Sequence, residues 1–212
     1  MNNIVNSLFN SYSKNNMLKI LDFLIDDVKG IYAEWHPLGF IYIKLFQDKN
    51  NDYRLHIWPK GVRSFNKTQY PIHNHTYNIK SLVVSGKVGC EAYLIEKKAN
   101  SNKKLYEVHY SNLGTKLVST DEFVEVEKSN ISWTNAGNSY KIKKGDYHQS
   151  VVEQNAYAAT VVKNYNKSSN IKPRIIVNDN DKLEYDCPTE KIENDLLLDK
   201  LKELKNRLKN NL

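Results

Sequence analysis

Apolar positions along this chain change their period twice. Over residues 3–30 they recur at helical spacing. In MLKILDFLIDDVKG, Leu18, Leu21, Phe23, Leu24 and Val28 fall near one face, and Gly30 stands where a helix would stop. From Ile31 the period drops to two. GFIYIKLFQD and DYRLHIWP are rich in aromatic and β-branched residues, and DKNND between them reads as the turn of a β-hairpin. KSLVVSGKV, EAYLIEKK, KLYEVHYSNL, EFVEVEK, NSYKIKKGD, HQSVVEQ and YAATVVKNY continue as short strands, parted by turn segments such as ANSNKK and TNAGNS. Strands at this spacing predict a β-sandwich or barrel. After KPRIIVNDNDKLEYDCP the helical period returns. Leu197, Leu201, Leu204 and Leu208 make one stripe on a helix expected from about Thr189. Pro188, Glu190, Glu193 and Asp195 suit its start, and Lys202, Lys205, Arg207 and Lys209 suit its end. The expected organisation is an N-terminal helical segment (1–30), a β-barrel (31–178) and a C-terminal extension with an amphipathic helix (179–212). A helix this short needs a docking surface. We expect it on the barrel or across a homodimer joined through sheet edges.

Composition narrows the class. The chain has 212 residues, 40% apolar and 26% charged, as in a globular protein. No apolar run approaches the ~20 residues of a transmembrane helix, so no membrane role is expected. MNNIVNSLFNSYSKNN carries neither the basic leader nor the apolar core of a signal peptide. A cytoplasmic protein is therefore expected, with Cys90 and Cys187 as reduced thiols. Lys and Arg number 31 against 24 acids, a net +7. The lysines are scattered among acids, and neither helix-turn-helix nor zinc-finger spacing is present. The charge reads as a solvated surface, and nucleic acid is not an expected partner.

The chemistry concentrates in a few positions. In YPIHNHTYNIKSLVVSGKV, His73 and His75 are one residue apart. On an extended chain they project to the same side, which is half of a metal site. A third imidazole, His148, follows Gly145 by three residues in GNSYKIKKGDYHQSVV. Arg54, His56 and Trp58 alternate on one strand face. They form either a plain barrel wall or a pocket wall, with Arg54 gripping an anion and His56 donating a hydrogen bond. Tyr147 and Cys90 read as core residues, and His36 and His109 as structural or exposed. Tyr165 reads as core or as a pocket residue. Asp146 serves the turn or orients a neighbouring imidazole.

With these residues in view, residues 55–165 resemble the cupin superfamily, the RmlC-like jelly rolls. His73, His75 and Gly86 match its first motif, and Gly137, Gly145 and His148 its second. Ile79 stands at the family's glutamate position, with Lys80 beside it, Lys143 replaces a proline and Val152 an asparagine. The resemblance implies a double-stranded β-helix in which His73, His75 and His148 hold a metal. Three histidines without the glutamate look most like the thiol dioxygenases typified by cysteine dioxygenase. Trp58, Gly61 and Ile72 extend that similarity, as do the N-terminal helices. Tyr165 falls near that family's active-site tyrosine, and Lys163 near the place of its late-strand histidine. Uncharacterised bacterial cupin-like proteins look similar too. The resemblance implies an iron(II) oxygenase acting on a small anionic or thiol metabolite. Arg54 or Arg63 would hold a carboxylate, and Tyr165 would donate a hydrogen bond. Zinc, nickel and manganese suit the same ligands. The alternatives are a non-catalytic cupin that binds a ligand or dimerises, and a cupin isomerase or epimerase.

Overall fold

The computed structural model describes residues 1–61, 71–111, 114–178 and 182–210. Two helices open the chain, α1 (Asn2–Asn10) and α2 (Lys14–Asp26), followed by a 3-10 turn at Val28–Gly30. The N-terminal helices expected within residues 1–30 are thus two. Ser13 caps α2 by accepting from the Asn16 N–H at 3.3 Å, so a new helix starts there. The buried face of α2 is Met17, Ile20, Leu21 and Leu24, whereas Phe23 is 49% exposed. The spacing of Met17, Ile20 or Leu21, and Leu24 is the true stripe, and Phe23 lies off it.

The strands are β1 (Ala33–His36), β2 (Phe40–Gln47), β3 (Asn51–Trp58), β4 (Asn78–Lys97), β5 (Lys103–Ser111) and β6 (Gly114–Asn135). They continue as β7 (Ser139–Ile142), β8 (Tyr147–Val151), β9 (Ala158–Tyr165), β10 (Arg174–Asn178), β11 (Glu184–Pro188) and β12 (Glu190–Lys191). All pairings are antiparallel. The protein is therefore mainly β with flanking helices, as expected. The predicted hairpin is present as β2–β3, its turn held by Asp48, which accepts from the Asn50 and Asn51 N–H groups at 2.8 Å.

KSLVVSGKV and EAYLIEKK are not two strands but the two halves of β4. The first half pairs with β7 and β9 and the second with β6 and β8, so one strand serves two sheets. Its corner is a register shift at Val83/Ser85 followed by Gly86, whose φ is +71°. A Cβ at Gly86 would sit 2.0 Å from the Tyr157 carbonyl oxygen. Only glycine fits that approach.

The first sheet runs β12-β1-β2-β3-β9-β4, and its two faces differ. Tyr53, Leu55 and Ile57 of β3 join Ala159 and Val161 of β9 in one core with α2 and the C-terminal helix α3 (Asn194–Asn210). The alternate residues, Asp52, Arg54, His56 and Trp58, face away from those helices. The last helix starts at Asn194 rather than near Thr189. Residues 184–191 are taken up instead by β11 on β6 and β12 on β1. Leu197, Leu201, Leu204 and Leu208 are each at most 5% exposed and pack on the barrel's own outer face. Leu201→Ala and Leu204→Ala are each expected to lower stability by about 3 kcal/mol, read from denaturant midpoints. Phe23→Ala should cost only about 0.5 kcal/mol. No helix of the described residues is long and apolar enough to cross a membrane.

Candidate metal centre

The segment around His73 and His75 is short, but backbone bonds fix it on both sides. His73 N–H donates to the His148 carbonyl at 3.1 Å, and His148 N–H donates back to the His73 carbonyl at 2.9 Å. This reciprocal pair places the first histidine directly beside β8. Gly145, at φ +88°, donates its N–H to the His75 carbonyl at 2.9 Å. On the other side Ile176 N–H donates to Ile72 O at 2.9 Å. Asn74, between the two histidines, is buried. Its N–H donates to the Arg174 carbonyl, and its Oδ1 accepts the Arg174 N–H. Alternation then sends His73 and His75 to the opposite side, as the spacing predicts.

The three imidazoles converge. Nε2 of His73 lies 3.1 Å from Nε2 of His75, and the donor atoms of His73, His75 and His148 all fall within 4.8 Å of one another. Ring centroids are 4.6 to 5.1 Å apart. The Nδ1 atom of His73 is 2.8 Å from the Pro71 carbonyl, and that of His148 is 3.3 Å from the Asp146 carbonyl. A carbonyl can only accept, so each Nδ1 carries the proton and each Nε2 keeps its lone pair. Asp146 thus orients His148, through its backbone rather than its carboxylate. Burial lowers the pKa of all three rings. It falls to about 3 in His148, where His73 adds to the effect, and well below the usual value in His75. The rings therefore stay neutral, which is the form that binds metal.

These residues fit a divalent transition metal. Two nitrogens bound at about 2.1 Å on one metal lie roughly 3 Å apart, close to the His73–His75 spacing. Among the described residues no carboxylate joins the group. Ile79, at the position where the resembled motif has glutamate, packs with Ile142 and Val162. Lys80 points the other way, its amine donating to the Phe9 carbonyl at 2.8 Å.

The wall beside this cluster comes from the first sheet. Tyr42 pairs with His56 across β2–β3, and Thr160 with His56 across β3–β9, so all three share one face. His56 is 4.5 Å from Phe40 and 5.9 Å from Tyr42, ring to ring. Its pKa is held well below the ordinary imidazole value, first by burial, then by Arg54 and His36. Arg54 lies over the Tyr42 ring at 5.1 Å and the Tyr77 ring at 5.7 Å, and Tyr77 stacks on His75 at 5.0 Å. The expected pocket residues Arg54 and His56 thus share the inner face near the histidines. The guanidinium is already engaged, however. Its Nε and Nη2 both reach Asp52 Oδ2, at 2.6 and 2.5 Å.

Other expected residues fall elsewhere. Tyr165 pairs with Asn51 and Asn78. Parity along β9 puts it with Val161 and Lys163, on the face opposite Thr160 and Asn164, so the register does not bring it to the histidines. Tyr147 packs with Leu105, Val124 and Ile176. Cys90 packs against the cluster of Ile79, Ile142 and Val162, and burial pushes its thiol up to about 11. His109 is exposed, and Arg63 lies outside the described residues.

His36, expected to be structural or exposed, takes the structural alternative as part of the inner wall. It stacks on Phe40 at 4.3 Å. Its Nδ1 accepts the Leu38 N–H at 3.2 Å, so its proton sits on Nε2. Alternation in AEWH held the signal, because Trp35 joins the core under the helices and the next residue must face inward. Tyr77 was not singled out in the sequence, although it continues the side of His73 and His75 at the same two-residue step.

No family model matches this sequence, and no curated protein matches it. Several solved structures are similar in part. One is hydroxypropylphosphonic acid epoxidase from S. wedmorenis, at 10% identity and a TM-score of 0.38, over 65% of this chain and 56% of that one. A second is an RmlC-like cupin from Shewanella frigidimarina, at 13% and 0.36, over 67% and 89%. A third is an RmlC-like cupin family protein from Methanocaldococcus jannaschii, at 8% and 0.35, over 60% and 81%. The matched region spans about half the length of the epoxidase structures. A likeness at this level assigns no activity.

Proposed function

We propose that the protein is a cupin-type metal enzyme, with His73, His75 and His148 holding iron(II) for the oxidation of a small anionic or thiol metabolite. The observation that carries this reading is the convergence of three neutral imidazoles with no carboxylate among them. Imidazole suits iron, zinc, nickel and copper alike. A divalent ion held by three uncharged ligands keeps its full charge and favours an anionic or thiolate ligand. Iron(II) would supply Lewis-acid and redox chemistry at that point.

The protein's own groups then divide the remaining work. His73 and His148 present lone pairs whose direction the Pro71 and Asp146 carbonyls fix. His36 offers an Nε2–H donor, and Tyr42 stays a neutral phenol because burial pushes its pKa up to about 12. The Arg54 charge is compensated by Asp52, so substrate charge is read at the metal rather than at the guanidinium. With the leucine stripe buried inside the protomer, a homodimer would join through another surface of the protein.

The test is oxygen uptake by protein reconstituted anaerobically with iron(II) and offered small thiols, then small carboxylates. Consumption that needs both iron and one substrate class supports the reading. Metal binding without oxygen consumption on either panel would make the protein a metal-binding module instead.

A further inference from the structure

Among the described residues, two of the three imidazoles are anchored by the backbone and the third is not. Pro71 O holds Nδ1 of His73 and Asp146 O holds Nδ1 of His148. Among the described residues no carbonyl does this for His75. Its polar ring contact is Nε2 of His73, the atom that would itself meet the metal. What fixes the plane of His75 is Tyr77, stacked on it at 5.0 Å and only 16° from parallel.

Tyr77 is held in turn. The Arg54 guanidinium lies 5.7 Å from its ring centroid and 5.1 Å from that of Tyr42, which bridges the two tyrosines. Asp52 fixes the guanidinium through Nε and Nη2, and Asn164 Nδ2 on β9 donates to the same Asp52 oxygen at 3.4 Å. A chain of contacts therefore runs Asn164–Asp52–Arg54–Tyr77–His75, from the middle of the first sheet to the candidate metal centre.

We propose that Tyr77 and Arg54 are positioning residues for the metal ligand His75, and that Arg54 acts here rather than as a substrate clamp. This inference rests on the metal reading above. Imidazole carries two ring nitrogens, and a ring free to turn about its χ2 bond can present either one. Stacking on Tyr77 restricts that turn and keeps Nε2 beside Nε2 of His73. The cation 5.7 Å from the Tyr77 centroid helps hold the phenol ring in place beside the imidazole. The pair does for His75 what a backbone carbonyl does for its two neighbours.

The experiment compares wild type, Tyr77→Leu, Tyr77→Phe and Arg54→Met, each confirmed folded by its melting curve. Cobalt(II) is the probe, with affinity read by chelator competition and geometry by visible absorption. Tyr77→Leu is expected to weaken cobalt binding by roughly 10–100-fold, the range for losing a group that orients a ligand. It should also shift the absorption bands. Tyr77→Phe keeps the stacked ring and should restore both affinity and spectrum. Arg54→Met should move both in the direction of Tyr77→Leu by a smaller factor, which gives a second reading if Tyr77→Leu does not fold. Wild-type affinity and spectrum in Tyr77→Leu, or in Arg54→Met where Tyr77→Leu does not fold, would overturn the inference. A wild-type chain that takes up no cobalt or iron would instead overturn the metal reading beneath it.

Discussion

Metal-free protein is expected to lose stability steeply as pH falls below about 6.5, the ordinary value for imidazole. His36 and His56 contribute to this besides the three candidate ligands, whose pKa values burial also lowers. The rings of His36 and His56 both lie inside the barrel. The pKa of His36 falls to about 3, through burial first and then through His73 and Arg54, and that of His56 lies well below the usual value. A second reason applies to His36. Its Nδ1 accepts the Leu38 N–H, so a proton there would face another proton. Because the folded pKa is depressed, the unfolded chain binds these protons first. The full contribution is present above about pH 6.5 and drains away as pH falls toward the folded value. Each ring contributes about 1.4 kcal/mol per pH unit across that window, so the two together contribute roughly 2–3. Against a total stability of about 5–15 kcal/mol, unfolding is expected within a few pH units. Urea titrations at stepped pH in the presence of a chelator measure the slope. His56→Gln should reduce it by about one proton's worth, 1.4 kcal/mol per unit. An unchanged slope in that variant would mean His56 titrates alike in both states.

The second large effect concerns the metal ligands. His75→Ala removes one of three donors and leaves Tyr77 against open space. Metal affinity should fall by more than about 100-fold, beyond the 10–100-fold typical for losing a supporting group. His109→Ala, at an exposed histidine beside Glu107, should change nothing. Competition against a chelating dye measures both. Equal affinity in the two variants would place the metal elsewhere.

What the sequence shows of this site follows from local geometry. His73 and His75 share a side because alternation depends only on neighbouring residues. For the same reason the β2–β3 hairpin and the leucine stripe of α3 are legible. The division of β4 between two sheets is not, because Gly86 between two apolar runs looks like a turn. It becomes a corner only through Tyr157, distant in sequence, whose carbonyl crowds it. Tyr165 shows the same limit. Its type and rough position suit a pocket, but its face is set by pairing with Asn51 and Asn78, and one step of parity turns it away. The pairing of Arg54 with Asp52, two residues earlier on the same strand face, was open to view in NDYRLH.

The central claim is that three imidazoles and no carboxylate hold one metal ion. The most direct measurement is X-ray absorption at the metal edge of wild-type protein loaded with a single equivalent of iron(II), alongside the metal content per chain. The account predicts near-stoichiometric iron, with the multiple-scattering signature of three imidazole ligands that drops to two in His148→Ala. Protein that retains no metal after loading, or a signature unchanged by His148→Ala, would contradict it.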